Sequence, residues 1–107
     1  MIDTITKENF EQVVEKAERP VLLELWAPWC VYCRRLAPAL DRVSEKRSDS
    51  LSVGKINIDE EPDLARKLDA EVIPTLYVYQ NGSHGEKLVA PASQAQLEAW
   101  IEEQLGK

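Results

Sequence analysis

The run Val21-Leu22-Leu23-Glu24-Leu25-Trp26 is apolar at every position but one. Such a stretch fits a central strand covered on both faces. Beyond it the period changes. From Cys30 to about Lys46, Cys33, Leu36, Ala37, Leu40 and Val43 recur at helical spacing. Pro38 lies inside this helix and is expected to kink it, because it removes a backbone hydrogen bond. Leu51 to Ile58 alternates and predicts a strand. Glu61-Pro62 starts a helix with proline at its first position, running to about Leu68 on Leu64, Ala65 and Leu68. Thr75 to Tyr79 predicts a strand, and Asn81-Gly82 a hairpin turn. Lys87-Leu88-Val89 is its expected partner, with Ser83-His84-Gly85 widening the loop. Ser93 to Gln96 has a capping-box pattern, followed by Leu97, Trp100, Ile101 and Leu105 on one helical face. At the start, Ile2 to Ile5 predicts a short strand. Thr6 is the expected cap of a helix to about Glu18, carrying Phe10, Val13, Val14 and Ala17 inward. Arg19-Pro20 ends it.

The order is therefore β-α-β-α-β-α-β-β-α. It predicts an α/β fold: a central mixed five-stranded sheet flanked by four helices. The 107 residues suit one domain over 1–107 with a single core. Nineteen acidic against 13 basic residues give a net charge of −6, which argues against nucleic acid and anionic membrane surfaces as partners. No apolar run approaches the ~20 residues of a membrane span. The first residues lack a charged-then-apolar signal pattern. Taken as the whole product, the chain is expected in the cytoplasm.

Cys30 and Cys33 are the only cysteines. Their spacing alone fits half a zinc site, an iron–sulfur ligand pair or a redox dithiol. They follow a predicted strand and open a predicted helix, where unsatisfied N–H groups favour a thiolate. In the redox reading Cys30 is the more exposed nucleophile and Cys33 resolves the mixed disulfide. A zinc site wants four ligands, and the chain has one histidine, His84, in an expected turn. No metal and no bound cofactor are expected. Glu24 interrupts an otherwise apolar strand. A carboxylate there is costly unless paired or neutralised, and burial would raise its pKa.

The residues around the pair resemble the thioredoxin family. The resemblance rests on Trp26-Ala27-Pro28-Trp29-Cys30 and Cys33, Leu36-Ala37-Pro38, Lys55 to Asp59, Ile73-Pro74-Thr75 and Asn81-Gly82, and it runs from the first strand to the last helix. It implies a thioredoxin-like fold and a Cys30–Cys33 disulfide in the oxidised form. It implies that Pro74 is cis and lies beside the cysteines, with Ile73 and Thr75 flanking it and Ile73 offering its backbone to an extended substrate. Glu24 matches the family's buried carboxylate, a proton carrier for Cys33, and Lys55 the lysine near it. Trp29 resembles the surface tryptophan of the substrate face.

Two departures stand out. Val31-Tyr32 replaces the common Gly-Pro between the cysteines, and Ala90-Pro91 stands where the family has glycine near the substrate groove. The first restores an N–H and adds an aromatic surface beside Cys30. It predicts a less reducing potential than the roughly −270 mV typical of thioredoxin. The resemblance implies a monomeric thiol–disulfide oxidoreductase. It would reduce disulfide-containing proteins and be re-reduced by a thioredoxin-reductase-type donor. The alternatives are a disulfide oxidase or isomerase, and a non-catalytic binding module using the same face.

Overall fold

The computed structural model describes residues 2–107. Met1, the first residue of the expected domain, lies outside them. Strands β1 (Ile2–Thr4), β2 (Val21–Trp26), β3 (Ser52–Asn57), β4 (Thr75–Gln80), β5 (Ser83–His84) and β6 (Leu88–Val89) form one six-stranded sheet. The order is β1-β3-β2-β4-β5, and β6 also pairs with β4. β1, β3 and β2 run parallel, whereas β4 is antiparallel to β2. The helices are α1 (Val31–Lys46), α2 (Pro62–Lys67) and α3 (Gln94–Leu105), together with a π-helical segment at Glu11–Glu15.

Successive side chains of a strand point to opposite faces, so β2 feeds two cores. Leu23 and Leu25 pack with Ile5, Phe10, Val14, Leu64 and Tyr77 under the π-helical segment and α2. Leu22 packs with Leu40, Val43, Leu76, Leu97 and Ile101 under α1 and α3. Each Leu or Ile fully removed from water here contributes about 1.5–3 kcal/mol. Gly54 of β3 sits where a Cβ would lie 2.7 Å from Ile5 Cγ1, so a side chain at this point would displace the core.

The structure refines two sequence expectations. The Asn81-Gly82 turn is a two-residue loop, since Gln80 pairs directly with Ser83. Both turn residues have positive φ, 54° and 83°, which Asn and Gly tolerate best. The expected single partner strand is thus split. Ser83–His84 pairs beside the turn, and Leu88–Val89 pairs with Leu76 and Thr75 further along β4. His84 lies in β5, not in a turn, with its ring 4.3 Å from that of Tyr77.

The N-terminal helix is the second difference. The Thr6 carbonyl accepts from Phe10 N–H, but Thr6 contributes no side-chain cap. Instead Asn9 Oδ1 reaches back to Thr6 N–H at 2.7 Å. The turns then widen, with Lys16 N–H donating to the Glu11 carbonyl. Pro38 lies inside α1, which continues on both sides of it as the spacing from Cys33 to Val43 predicts.

Candidate active site

The link from β2 to α1 builds the site. Ala27-Pro28-Trp29-Cys30 is a turn closed by Cys30 N–H on the Ala27 carbonyl at 3.1 Å. Cys30 is then extended, with φ −83° and ψ 113°, and forms the N-cap of α1. Its sulfur takes the place usually held by a serine or aspartate oxygen, accepting from Cys33 N–H at 3.1 Å. Cys30 and Cys33 are joined as a disulfide, with their Cα atoms 5.2 Å apart. When that bond opens, the helix N–H groups and macrodipole favour negative charge on the Cys30 sulfur. Cys30 is 7% exposed and Cys33 3%, and Trp26, Ile58 and Ile73 pack around them.

A second segment approaches from the far end of β4. The Ile73–Pro74 peptide is cis. The Ile73 carbonyl lies 3.9 Å from Cys30 Sγ. Thr75 is buried, and its hydroxyl donates to the Val72 carbonyl. The Pro74 carbonyl accepts from Ala90 N–H at 2.9 Å, which ties the Ala90-Pro91 loop to the same place. Ala90 has a φ of 45°, a left-handed conformation that glycine would adopt without penalty.

The surface around the disulfide is apolar. Trp29 is 63% exposed and Tyr32 62%, and Val31 and Val72 are exposed as well. Trp29 is nevertheless anchored. Its indole N–H donates to both carboxylate oxygens of Asp59, at 3.0 and 3.2 Å. Asp59 is held in turn by its own N–H donating to Asn57 Oδ1, an Asx turn leaving β3.

Glu24 is fully buried in β2. It shares a face with Leu22, so it lies beneath α1, whose first turn carries Cys33. On β3 its paired neighbour is Lys55, and on β4 it is Leu76. Lys55 Nζ stands 3.7 Å from Glu24 Oε1, a charge contact too long for a hydrogen bond. Among the described residues neither Glu24 oxygen has a hydrogen-bond donor. Desolvation pushes the Glu24 pKa up from 4.5 to about 7, against the opposing pull of Lys55. The Lys55 ammonium also sits 4.4 Å from the centre of the Trp26 ring.

Among the described residues, no group of three or more His, Cys, Asp or Glu side chains is placed to hold a metal ion. No described helix is long and apolar enough to cross a membrane.

A vicinal dithiol capping a helix, beside a cis-proline and above a buried carboxylate, is arranged for disulfide exchange. The thioredoxin family model matches residues 1–103. The chain belongs to the thioredoxin family. Similar thioredoxins include that of Pseudomonas aeruginosa, 40% identical over 94% of both chains, and that of Acidithiobacillus ferridurans, 37% identical over 94% of both. The thioredoxin of Alicyclobacillus acidocaldarius is 36% identical over 92% of each chain. Family membership and the Cys30–Cys33 pair together make this thioredoxin-family chain a thiol–disulfide oxidoreductase.

The structure thus brings Cys30, Cys33, Ile73, Pro74 and Ala90 to one place. It sets Trp29, Val31 and Tyr32 on the surface beside them, and Glu24 with Lys55 below. Asp59, part of the Lys55 to Asp59 segment of the resemblance, joins the site without a role having been expected for it. Its signal was present, an aspartate just beyond a strand and two residues after Asn57, but only the tertiary structure shows that it holds Trp29.

Proposed function

We propose that this chain is a protein-disulfide reductase working by dithiol–disulfide exchange. The observation that carries the reading is the Cys30 sulfur at the N-cap of α1, accepting from Cys33 N–H. In the reduced enzyme the Cys30 thiolate attacks one sulfur of a substrate disulfide. A mixed disulfide forms, and the other substrate sulfur leaves as a thiolate and takes up a proton. Glu24 takes the Cys33 proton, and the Cys33 sulfur attacks Cys30. The second substrate sulfur leaves as a thiolate and takes up a proton from water, so the substrate departs with both thiols and two electrons have passed to it from Cys30 and Cys33. The Cys33 proton departs through the cleft of about 310 Å³ that Trp26 and Lys55 line.

Trp29, Val31, Tyr32, Ile73, Pro74, Thr75 and Ala90 form or support the face that receives the substrate. Ile73 has its backbone beside the attacking sulfur. A reductase-type donor returns the electrons, and the chain acts as a monomeric single domain in the cytoplasm. With no proline at position 32, an additional backbone N–H is available near the thiolate in the first turn. A stabilised dithiol form makes the couple less reducing.

Turnover of insulin disulfides with a chemical reductant as electron source tests the reading. Cys30→Ser is expected to abolish it, and Cys33→Ser to accumulate a mixed disulfide. Turnover surviving in Cys30→Ser would refute the mechanism. Equilibration with glutathione should give a potential above roughly −270 mV, and a value at or below it refutes the tuning by Val31-Tyr32.

A further inference from the structure

Next to the disulfide, on the side of Tyr32, a groove of about 320 Å³ runs between α1 and the start of α3. Tyr32, Arg35, Ala39 and Arg42 line it from α1, and Pro91 and Gln94 from the other side. These α1 positions recur at three, four and three residues, so they form one stripe leading away from the active site. Arg35 and Arg42 stand two turns apart, roughly 10 Å along the helix axis. The small Ala39 leaves open space between them.

The charge of this groove opposes that of the whole chain, which is −6. Two cations at the far end of α1 pair with α3: Lys46 with Glu98 at 3.0 Å and Arg47, the residue after the helix, with Glu102 at 2.5 Å. Arg35 and Arg42 are different. Arg42 bonds only the neutral amide of Gln94, and the Arg35 guanidinium lies over the Tyr32 ring, 5.8 Å from its centre. Among the described residues, no carboxylate pairs with either. Two guanidinium groups without counter-charge, on the wall of a groove whose near end is Tyr32, two residues from the attacking cysteine, call for carboxylates from outside.

Taking the reduction of protein disulfides as given, we propose that this groove seats an acidic segment of the disulfide-bearing substrate protein. An extended strand advances about 3.3 Å per residue, so carboxylates three residues apart match the arginine spacing. Tyr32 and Arg35 thereby select substrates whose reducible cysteine is flanked by acidic residues.

The test uses two fluorescein-labelled, cysteine-free nine-residue peptides, one with glutamates three residues apart and one with lysines there. Anisotropy titration of the oxidised protein is expected to show the acidic peptide bound about fivefold more tightly at low salt, with the difference lost at high salt. The overall charge of the protein alone would give the opposite order. Arg35→Glu is expected to invert the preference, and Arg35→Gln to remove most of it. Equal binding of both peptides, or an unchanged preference in Arg35→Glu, overturns the proposal. These readouts need no turnover, so a failure of the insulin assay would count against the reductase reading and not against the groove.

Discussion

Glu24 and Lys55 are paired across the parallel strands β2 and β3, with the ammonium 3.7 Å from a carboxylate that is wholly buried. The lysine moderates the cost of that burial without cancelling it. The pKa of Glu24 is therefore pushed up to about 7. If Glu24 carries the Cys33 proton, turnover should rise as pH climbs through about 7. Glu24→Gln should be slower near neutrality by on the order of ten- to a hundredfold and should lose that inflection. The pH profile of insulin reduction checks this, and an unchanged profile in Glu24→Gln would exclude the role.

The same residue should shape stability. Its pKa is higher in the folded chain than the ordinary 4.5. Between pH 4.5 and about 7 the folded state keeps a proton that the unfolded state has lost, so stability falls as pH rises. Above that window the cost is fully present, on the order of 3 kcal/mol. Glu24→Gln should thus gain stability relative to the parent at pH 8 and little at pH 4. Urea unfolding across that range would show it. A difference that does not change with pH would contradict the assignment.

Ala90 has a φ of 45° while its N–H is held by the Pro74 carbonyl. An alanine in this conformation is strained by about 1–2 kcal/mol, partly offset by the lower entropy of its unfolded chain. Ala90→Gly should raise stability by roughly 0.5–1 kcal/mol in urea unfolding.

Gly54 faces Ile5, which is itself buried in the core. Gly54→Ala should cost about 1–3 kcal/mol through overpacking. With Ile5→Ala the two changes should be less than additive in a double-mutant cycle, because the small side chain frees the space. Full additivity would show that the contact is not the cause.

Asp59 holds the indole of Trp29 through both carboxylate oxygens. Asp59→Ala should leave the fold intact and free the ring. The expected result is faster Trp29 motion in fluorescence anisotropy decay and a KM for protein disulfides raised a few-fold. An unchanged KM with a mobile ring would separate anchoring from recognition.

Much of this was legible in the chain because it rests on local periods. The apolar run around Glu24 marks a strand buried on both faces, and the spacing from Cys33 to Val43 marks α1. Ser93 caps α3 as its pattern predicts, its hydroxyl accepting from Gln96 N–H at 3.1 Å. Less legible was the split of the last antiparallel strand. Its two pieces are only two residues long, too short to carry a period, and each is fixed by β4. The π-helical turns at Glu11–Glu15 likewise have the same apolar spacing as an ordinary helix.

The sequence by itself determined the alternation of strands and helices, the placement of Cys30 at a helix start and the presence of an ionisable group in a central strand. Those features depend on residues near one another in the chain. Only the tertiary structure decided what meets across distance: Ile73 beside Cys30, Pro74 on Ala90, Lys55 beside Glu24 and Asp59 on Trp29. The reason is physical. Strand register and helix packing fix these neighbours together, and burial sets the charge state of Glu24 only after every layer is in place.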